Sequence, residues 1–478
     1  MTTMKSTAGE GSPSQGFNLL KVKPLRGIVL WAGFPYVFQA ALLVFFLYLA
    51  VLGWGLFPPE GVEGKLYAKT NLVNLLIWGL WWPAMIWIAV WFGRAWCAVC
   101  PLELVANGSE RLGRAVGLKQ WALGKWLRSG ALILVLYAVI QMMVPAKDLH
   151  RVPAYTSVFL WAVLIVAILT GLWIKDRAFC RGFCPVGLLL GTYGRGSMLV
   201  VRPVGDEKCG DCTAKDCAAA AGRDRLDARS CPSLLNPSKL KDNTDCLVCG
   251  QCIKACGAKE NMGLFLRRPF HAADARPLMA SWPVTLFVML VSGFVAFELF
   301  SEWKAALAAF FWVPTTAAES LELAAFEGWL KGVWILLVVP LLLWLVLGVV
   351  VVVSRGAGSL WEAWRRLALP LAVVLAAGHM AKGLAKAVSW GGYLPMALSE
   401  PTGHENALAI TQEAISKPAS LVALPVVSVV SLALLLAMFY YALRESRMAD
   451  AATHRGRIAA ISMVGLASAF LILGWGLQ

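Results

Sequence analysis

The chain has 478 residues, is 59% hydrophobic and only 15% charged, and carries a formal net charge of +15. Its apolar residues gather in blocks of about 20, the length a helix needs to cross hydrocarbon, which excludes one large soluble domain. The positive charge is no argument for a nucleic-acid partner, because excess Lys and Arg in a multi-pass protein mark its cytoplasmic loops.

Residues 1–27 are polar, and nothing there reads as a cleavable signal peptide, since the first apolar segment is too long for a signal core. Nine membrane segments are expected, near 28–56, 72–93, 129–145, 154–174, 280–300, 332–353, 368–388, 419–442 and 458–477. Most of the 43 Lys and Arg residues fall in the segments that lie inside when the N-terminus is cytoplasmic. An odd number of crossings puts the C-terminus on the periplasmic side. The expected fold is mainly α: a polytopic helix bundle with a small inserted α+β domain. The expected regions are a cytoplasmic tail (1–27), a four-helix membrane domain (28–174), a cytoplasmic cysteine-rich insert (175–279) and a membrane domain of about five helices (280–478). The 22 tryptophans suit the headgroup level of a bilayer.

All 12 cysteines lie between Cys97 and Cys256. A disulfide framework belongs to small secreted domains, so dense spacing in a cytoplasmic loop points to metal. The stretch "DCLVCGQCIKACG" sets Cys246, Cys249, Cys252 and Cys256 in C-x2-C-x2-C-x3-C spacing. This resembles the run of bacterial two-cluster ferredoxins, in which three close thiolates hold one cubane and the fourth ligates the other. A partner run follows C-x2-C-x4-C-x13-C-P, through Cys209, Cys212, Cys217 and Cys231. The resemblance implies two [4Fe–4S] clusters, one on Cys209, Cys212, Cys217 and Cys256, the other on Cys246, Cys249, Cys252 and Cys231. The first run has longer spacers than that pattern, and Gly257 stands where a proline is customary. Two zinc ions are the competing reading, but a triple C-x2-C-x2-C is crowded for tetrahedral zinc.

Segment two ends in "RAWCAVCPLEL" and segment four in "RAFCRGFCPVGLLL". Cys97 with Cys100, and Cys180 with Cys184, are thus two similar pairs at the cytoplasmic edge, each closed by a proline. Pro101 and Pro185 disfavour helix at the cysteine before them and suit a new helix after it. The second thiol of each pair then sits near a helix N-terminus, with Arg94 or Arg181 close in sequence, a setting that favours thiolate. A small buried hydrophobe is the plain alternative for such a cysteine. If functional, the four thiols are either a further iron site or a redox dithiol.

With these motifs, residues 28–275 resemble the NapH/NosR-type membrane ferredoxins. The resemblance implies electron transfer between the quinol pool and a periplasmic reductase system, in a bacterial inner membrane, with quinone as a candidate ligand. It makes a quinol dehydrogenase-like role a candidate activity. The family spacing is usually C-x3-C-P twice; "CRGFCP" matches and "CAVCP" is one residue short. Residues 280–478 have no counterpart in the short NapH form.

Segment seven contains "GHMAKGLAKAVSWGGYLP", where His379, Lys382 and Lys386 share a helix face. Ionisable residues inside a membrane segment are costly and often functional. A quinone carbonyl, an anion or a haem propionate would suit this stripe. The plain alternative has Lys386 snorkelling at the outer interface and His379 as a hydrogen-bonded core residue. His150, His271, His404 and His454 read as surface residues. Glu302, Glu319, Glu322, Glu327, Glu400, Glu405 and Glu413 fall in segments read as outer loops and suggest an acidic face.

The expected function is a membrane iron–sulfur protein relaying electrons between the quinol pool or a cytoplasmic donor and a periplasmic redox partner. Two alternatives stand beside it. One is a maturation or regulatory factor that supplies electrons to activate a periplasmic metalloenzyme. The other is a redox-gated transporter, which predicts broken helices meeting near the midplane, with Gly378 or the Gly391–Gly392 pair as break points.

Overall fold

A computed structural model describes residues 16–256, 261–450 and 454–476. Gly257 lies outside these, and so does most of the 1–27 tail. The chain forms two compact units: residues 1–40, 88–100 and 194–275 in the first, and 41–87, 101–193 and 276–478 in the second.

Nine apolar helices lie along the described residues: α1 (Tyr36–Leu52), α2 (Leu72–Phe92), α3 (Ala131–Lys147), α4 (Pro153–Trp173), α5 (Trp282–Phe300), α6 (Ala324–Val353), α7 (Leu360–Gly391), α8 (Leu424–Ala449) and α9 (His454–Trp475). Seven of them are long and apolar enough to cross a membrane. Helices α1 and α3 have 17 residues each, about 26 Å at 1.5 Å per residue, short of a 30 Å hydrocarbon core. The expected count of nine crossings is thus met by seven helices on length. Segment 28–56 is shorter than expected because the chain turns at Trp31–Pro35, after a separate helix at Lys23–Leu30.

The helix starts follow local chemistry. Proline opens α4, α5 and α8 at its first or second position, where its missing N–H costs nothing. Ser359 caps α7: its Oγ accepts from Glu362 N at 3.2 Å, while the Glu362 carboxylate accepts from Gly358 N at 2.9 Å. Helix α7 then runs unbroken for 32 residues, through Gly378 and up to Gly391, so the breaks expected of a transporter do not occur there. Gly378 serves packing instead. A Cβ there would stand 2.9 Å from Val295 Cγ1 of α5, so its absence lets the two helices close. The segment expected at 368–388 is the middle of the most enclosed of the seven spans.

Buried charge ties the ends of the C-terminal helices. Arg276 and Glu445 pair at 3.5 Å with both side chains nearly inaccessible, Arg366 reaches Asp450 at 3.2 Å, and Arg457 donates to the carbonyls of Ser446 and Asp450. The region 301–330, read as a loop, holds a helix at Lys304–Ser320. It is apolar enough to fold but too short and too polar at its end to register as a span.

The first unit carries a three-stranded antiparallel sheet of order β1-β3-β2, with β1 at Phe17–Asn18, β2 at Leu199–Pro203 and β3 at Met262–Leu266. Phe17 faces Leu266, and Val200 faces Phe265. The N-terminal residues therefore join this unit as an edge strand. Val201, Val248, Cys252, Met262 and Leu264 form its core.

Candidate functional site

The loop Cys246–Cys252 is wound by two left-handed residues, Val248 at φ 55° and Gly250 at φ 69°. Glycine adopts that backbone freely, whereas a β-branched valine does so only when its surroundings impose it. Val248 is held there by its place in the core beside Cys252. With the loop so curled, Cys231, Cys246, Cys249 and Cys252 line one cavity. Cys217 lies within electrostatic reach of Cys256, Cys209 and Cys212. A backbone bond from Cys231 N to Cys217 O, at 2.8 Å, joins the two groups.

Burial pushes the Cys246 thiol up to about 11, and burial with the neighbouring Cys256, Cys209 and Cys212 does the same for Cys217. Thiolates at these positions need a compensating cation, which iron would supply. The eight donors are all sulfur and gather in two groups, a donor set of the kind that iron–sulfur clusters use.

Five polar residues without a motif hold this region. Fully buried Asn243 donates to Ser197 Oγ at 2.8 Å and to Leu199 O at 2.9 Å, and accepts from Arg202. Arg202 and Arg267 both pair with Asp274. Asn261 accepts from Gly205 N with Oδ1, which turns its Nδ2 toward Cys209 Sγ at 3.0 Å. A lone Asn beside a strand gives no sequence signal for any of this.

The paired cysteines divide between the units. In the first unit, α2 ends at Phe92, and Cys97 lies on a separate helical turn, Ala95–Val99. Cys97 packs with Ala98, Leu247 and Cys249. Cys100 is extended, and the next helix, Pro101–Ala115, opens on the proline as expected. Arg94 points its guanidinium at Asp245 and the Thr244 carbonyl, just before Cys246.

In the second unit, Cys180 lies on the turn Phe179–Phe183, Cys184 is extended, and a helix follows at Gly187–Gly194. Both cysteines pack against a buried cluster of Ala106, Ala167 and Phe179. Neither pair ends a membrane helix directly; each occupies a short turn after one. The entry to the second pair is strained, with Asp176 at φ 69° and Arg177 at φ 56°. Glu110 accepts from both their backbone N–H groups, and Glu103 pairs with Arg177 at 3.3 Å, both side chains buried. The only sequence hint of this clamp is a carboxylate, Glu103, set among apolar residues.

His379, Lys382 and Lys386 do come together, inside the second unit. With Glu298, His150 and Gln141 they line a cavity of about 40 Å³ walled by Trp78, Trp82 and Phe294. Lys382 Nζ meets Glu302 at 2.6 Å, Glu298 at 3.4 Å and Ser301 Oγ at 2.5 Å. Lys386 lies over the Trp390 ring, 4.8 Å from its centre. Tyr193 OH is 3.4 Å from His379 Nδ1. The cavity has room for a water or two, and none for a quinone ring or a haem edge.

Three sequence readings change here. His150 is not a plain surface residue: it is half-buried on this cavity, and burial together with Lys386 and Arg151 pushes its imidazole well below 6.5. Glu302 is no part of an outer acidic face, since the Lys382 ammonium beside it holds its carboxyl below the usual range. Glu400 is spent on the His404 and Asn406 N–H groups, and Glu327 on Lys331. Glu319, Glu322, Glu405 and Glu413 are exposed. His404 is exposed too, at the start of a short helix. His271 accepts from Ala273 N.

The chain combines helices long and apolar enough to cross a membrane with a cysteine-dense unit, and it is similar to proteins named for ferredoxin-type or electron-transport roles. It is 30% identical over 189 residues to the "Ferredoxin-type protein NapH" of Haemophilus influenzae, covering 37% of this chain and 63% of that protein. It is 28% identical over 156 residues to the "Methylamine utilization ferredoxin-type protein MauN" of Paracoccus denitrificans, covering 31% and 53%. YccM of Escherichia coli, whose name also speaks of electron transport, is 25% identical over 268 residues, 48% of this chain and 71% of its own. The chain thus spans less than two thirds of the NapH and MauN relatives, and each match leaves more than half of this chain uncovered. No family model matches, and no solved structure does. The helices support a membrane protein.

Proposed function

We propose that the chain carries two [4Fe–4S] clusters and relays electrons between a quinol or a cytoplasmic donor and a periplasmic redox partner. The gathering of the eight cysteines into two groups carries this reading. Cys209, Cys212, Cys217 and Cys256 would hold one cluster, and Cys231, Cys246, Cys249 and Cys252 the other. A bound cluster supplies one-electron chemistry, and the protein sets its potential through hydrogen bonds and exposure. Asn261 and the buried Arg202 are the residues suited to do so. The N-terminus and the cysteine-rich unit would be cytoplasmic, on the side where Lys and Arg concentrate, and the membrane a bacterial inner one.

The quinol half of the reading has its own support in the second unit. An apolar cavity of about 510 Å³ lies between α3 and α4, lined by Leu136, Ile140 and Val163 and reaching Phe179, Phe183 and Pro185 around the second cysteine pair. It falls within the size range of small-molecule sites, and its apolar lining suits an isoprenoid tail.

Iron and sulfide counting with electron paramagnetic resonance tests the clusters. About eight irons per chain are expected from the eight-cysteine region. Iron beyond that, lost in Cys184→Ala, would assign a metal to the paired thiols; zinc in place of iron would overturn the reading. Reduction of the clusters by a menaquinol or ubiquinol analogue tests the donor. Failure to reduce them would favour the maturation-factor alternative.

A further inference from the structure

The polar residues of the second unit form a line. It starts at exposed Lys65, which lies within electrostatic reach of Lys69 and Glu302. Glu302 meets Lys382 at 2.6 Å, and Lys382 meets Glu298 at 3.4 Å. Glu298, Lys386, His150 and His379 share the 40 Å³ cavity, and His379 continues to Tyr193 OH at 3.4 Å. His379 is 3% exposed, and His150 Nδ1 has no hydrogen-bond partner among the described residues. Tyr193 sits at the far end of the helix Gly187–Gly194. That helix begins against the second thiol pair, since a Cβ on Gly187 would stand 3.7 Å from Cys180 O and 4.0 Å from Cys184 Cβ. Its eight residues span about 12 Å.

We propose that this line is a proton-access route, bridged by water in the cavity, that serves redox change at the Cys180/Cys184 pair. The inference rests on the electron-transfer reading above. Lys382 and Lys386 at the cavity are set against Glu298 in its wall and Glu302 behind Lys382, and Lys65 and Lys69 add charge toward the exposed end. The cavity's size suits water, which with Glu298 and His379 can hand protons on. Either chemistry at the pair draws protons when electrons arrive from a quinol or a reduced cluster. If a disulfide is present, the S–S bond breaks as two electrons and two protons enter, leaving two thiols. If a metal is held, the added electron raises the proton affinity of a group one such helix length away, about 12 Å, by about tenfold at an effective dielectric constant near 20.

The test is proton uptake by the purified full-length protein in unbuffered detergent solution, followed with a pH dye during reduction by a light-driven flavin. Wild type is expected to take up protons in step with electrons. Glu298→Gln and His379→Gln should slow that uptake at least tenfold while iron content stays unchanged. Lys382→Arg, which keeps the charge, should behave as wild type. Uptake in Glu298→Gln and His379→Gln within twofold of wild type, or no uptake by a wild type that does accept electrons, would overturn the route. A wild type that accepts no electrons would instead sink the electron-transfer reading and the route with it.

Discussion

The cysteine-rich unit and the buried charge of the C-terminal helices build polar sites in opposite ways. In the first, donors three residues apart are brought together by a tight loop, so the chemistry is local and shows as a spacing. In the second, Glu298, Lys382, His379 and His150 come from three separate stretches of chain, and only helix packing makes them neighbours. The first is a site that a short segment nearly determines. The second exists only while α5 and α7 stay packed.

That contrast can be broken most severely at Cys249. Cys249→Ala should lose about four of eight irons, with the other cluster retained, as read by iron analysis and paramagnetic resonance. Loss of all iron would mean that the two groups of cysteines are one cooperative unit. Next in size is Lys382→Met, which leaves Glu298 and Glu302 enclosed without their cation. It should cost about 3 kcal/mol in reversible detergent unfolding, and adding Glu302→Gln should recover part of that. The iron signal should be untouched. Gly378→Leu wedges α7 away from Val295 and Leu299 and should cost about 2 kcal/mol.

A pH dependence sharpens the comparison further. His150 is held neutral in the fold, so the unfolded chain binds more protons between the depressed folded value and the ordinary 6.5. Stability should therefore be complete above about 6.5 and fall as pH drops toward the folded value. His150→Gln should flatten the melting temperature across that window. The smallest effect is expected at Ser359→Ala, which removes the cap of α7 for about 1 kcal/mol.

The crossings were legible wherever apolar runs exceeded 18 residues, and the extended Cys100 and Cys184 followed from the prolines after them. Helices α1 and α3 are apolar but, at 17 residues, shorter than the other seven, a difference that hydropathy blurs. His150 was misread because its neighbours in sequence are polar, while the residues it shares a cavity with lie on α2, α3, α5 and α7. Asn243, Asn261 and the Glu103–Arg177 pair left almost no mark, since a single polar residue looks alike in a core and in a loop.

By itself, then, the sequence determined a membrane protein with a cysteine-dense unit and a stripe of ionisable residues on one helix, because hydropathy and short spacings are properties of contiguous chain. The tertiary structure alone decided that Lys382 answers Glu298 and Glu302, and that His150 joins His379. Those pairings depend on close packing between distant segments. In a low-dielectric interior such packing gives each buried charge or thiol one set of partners that stabilises it.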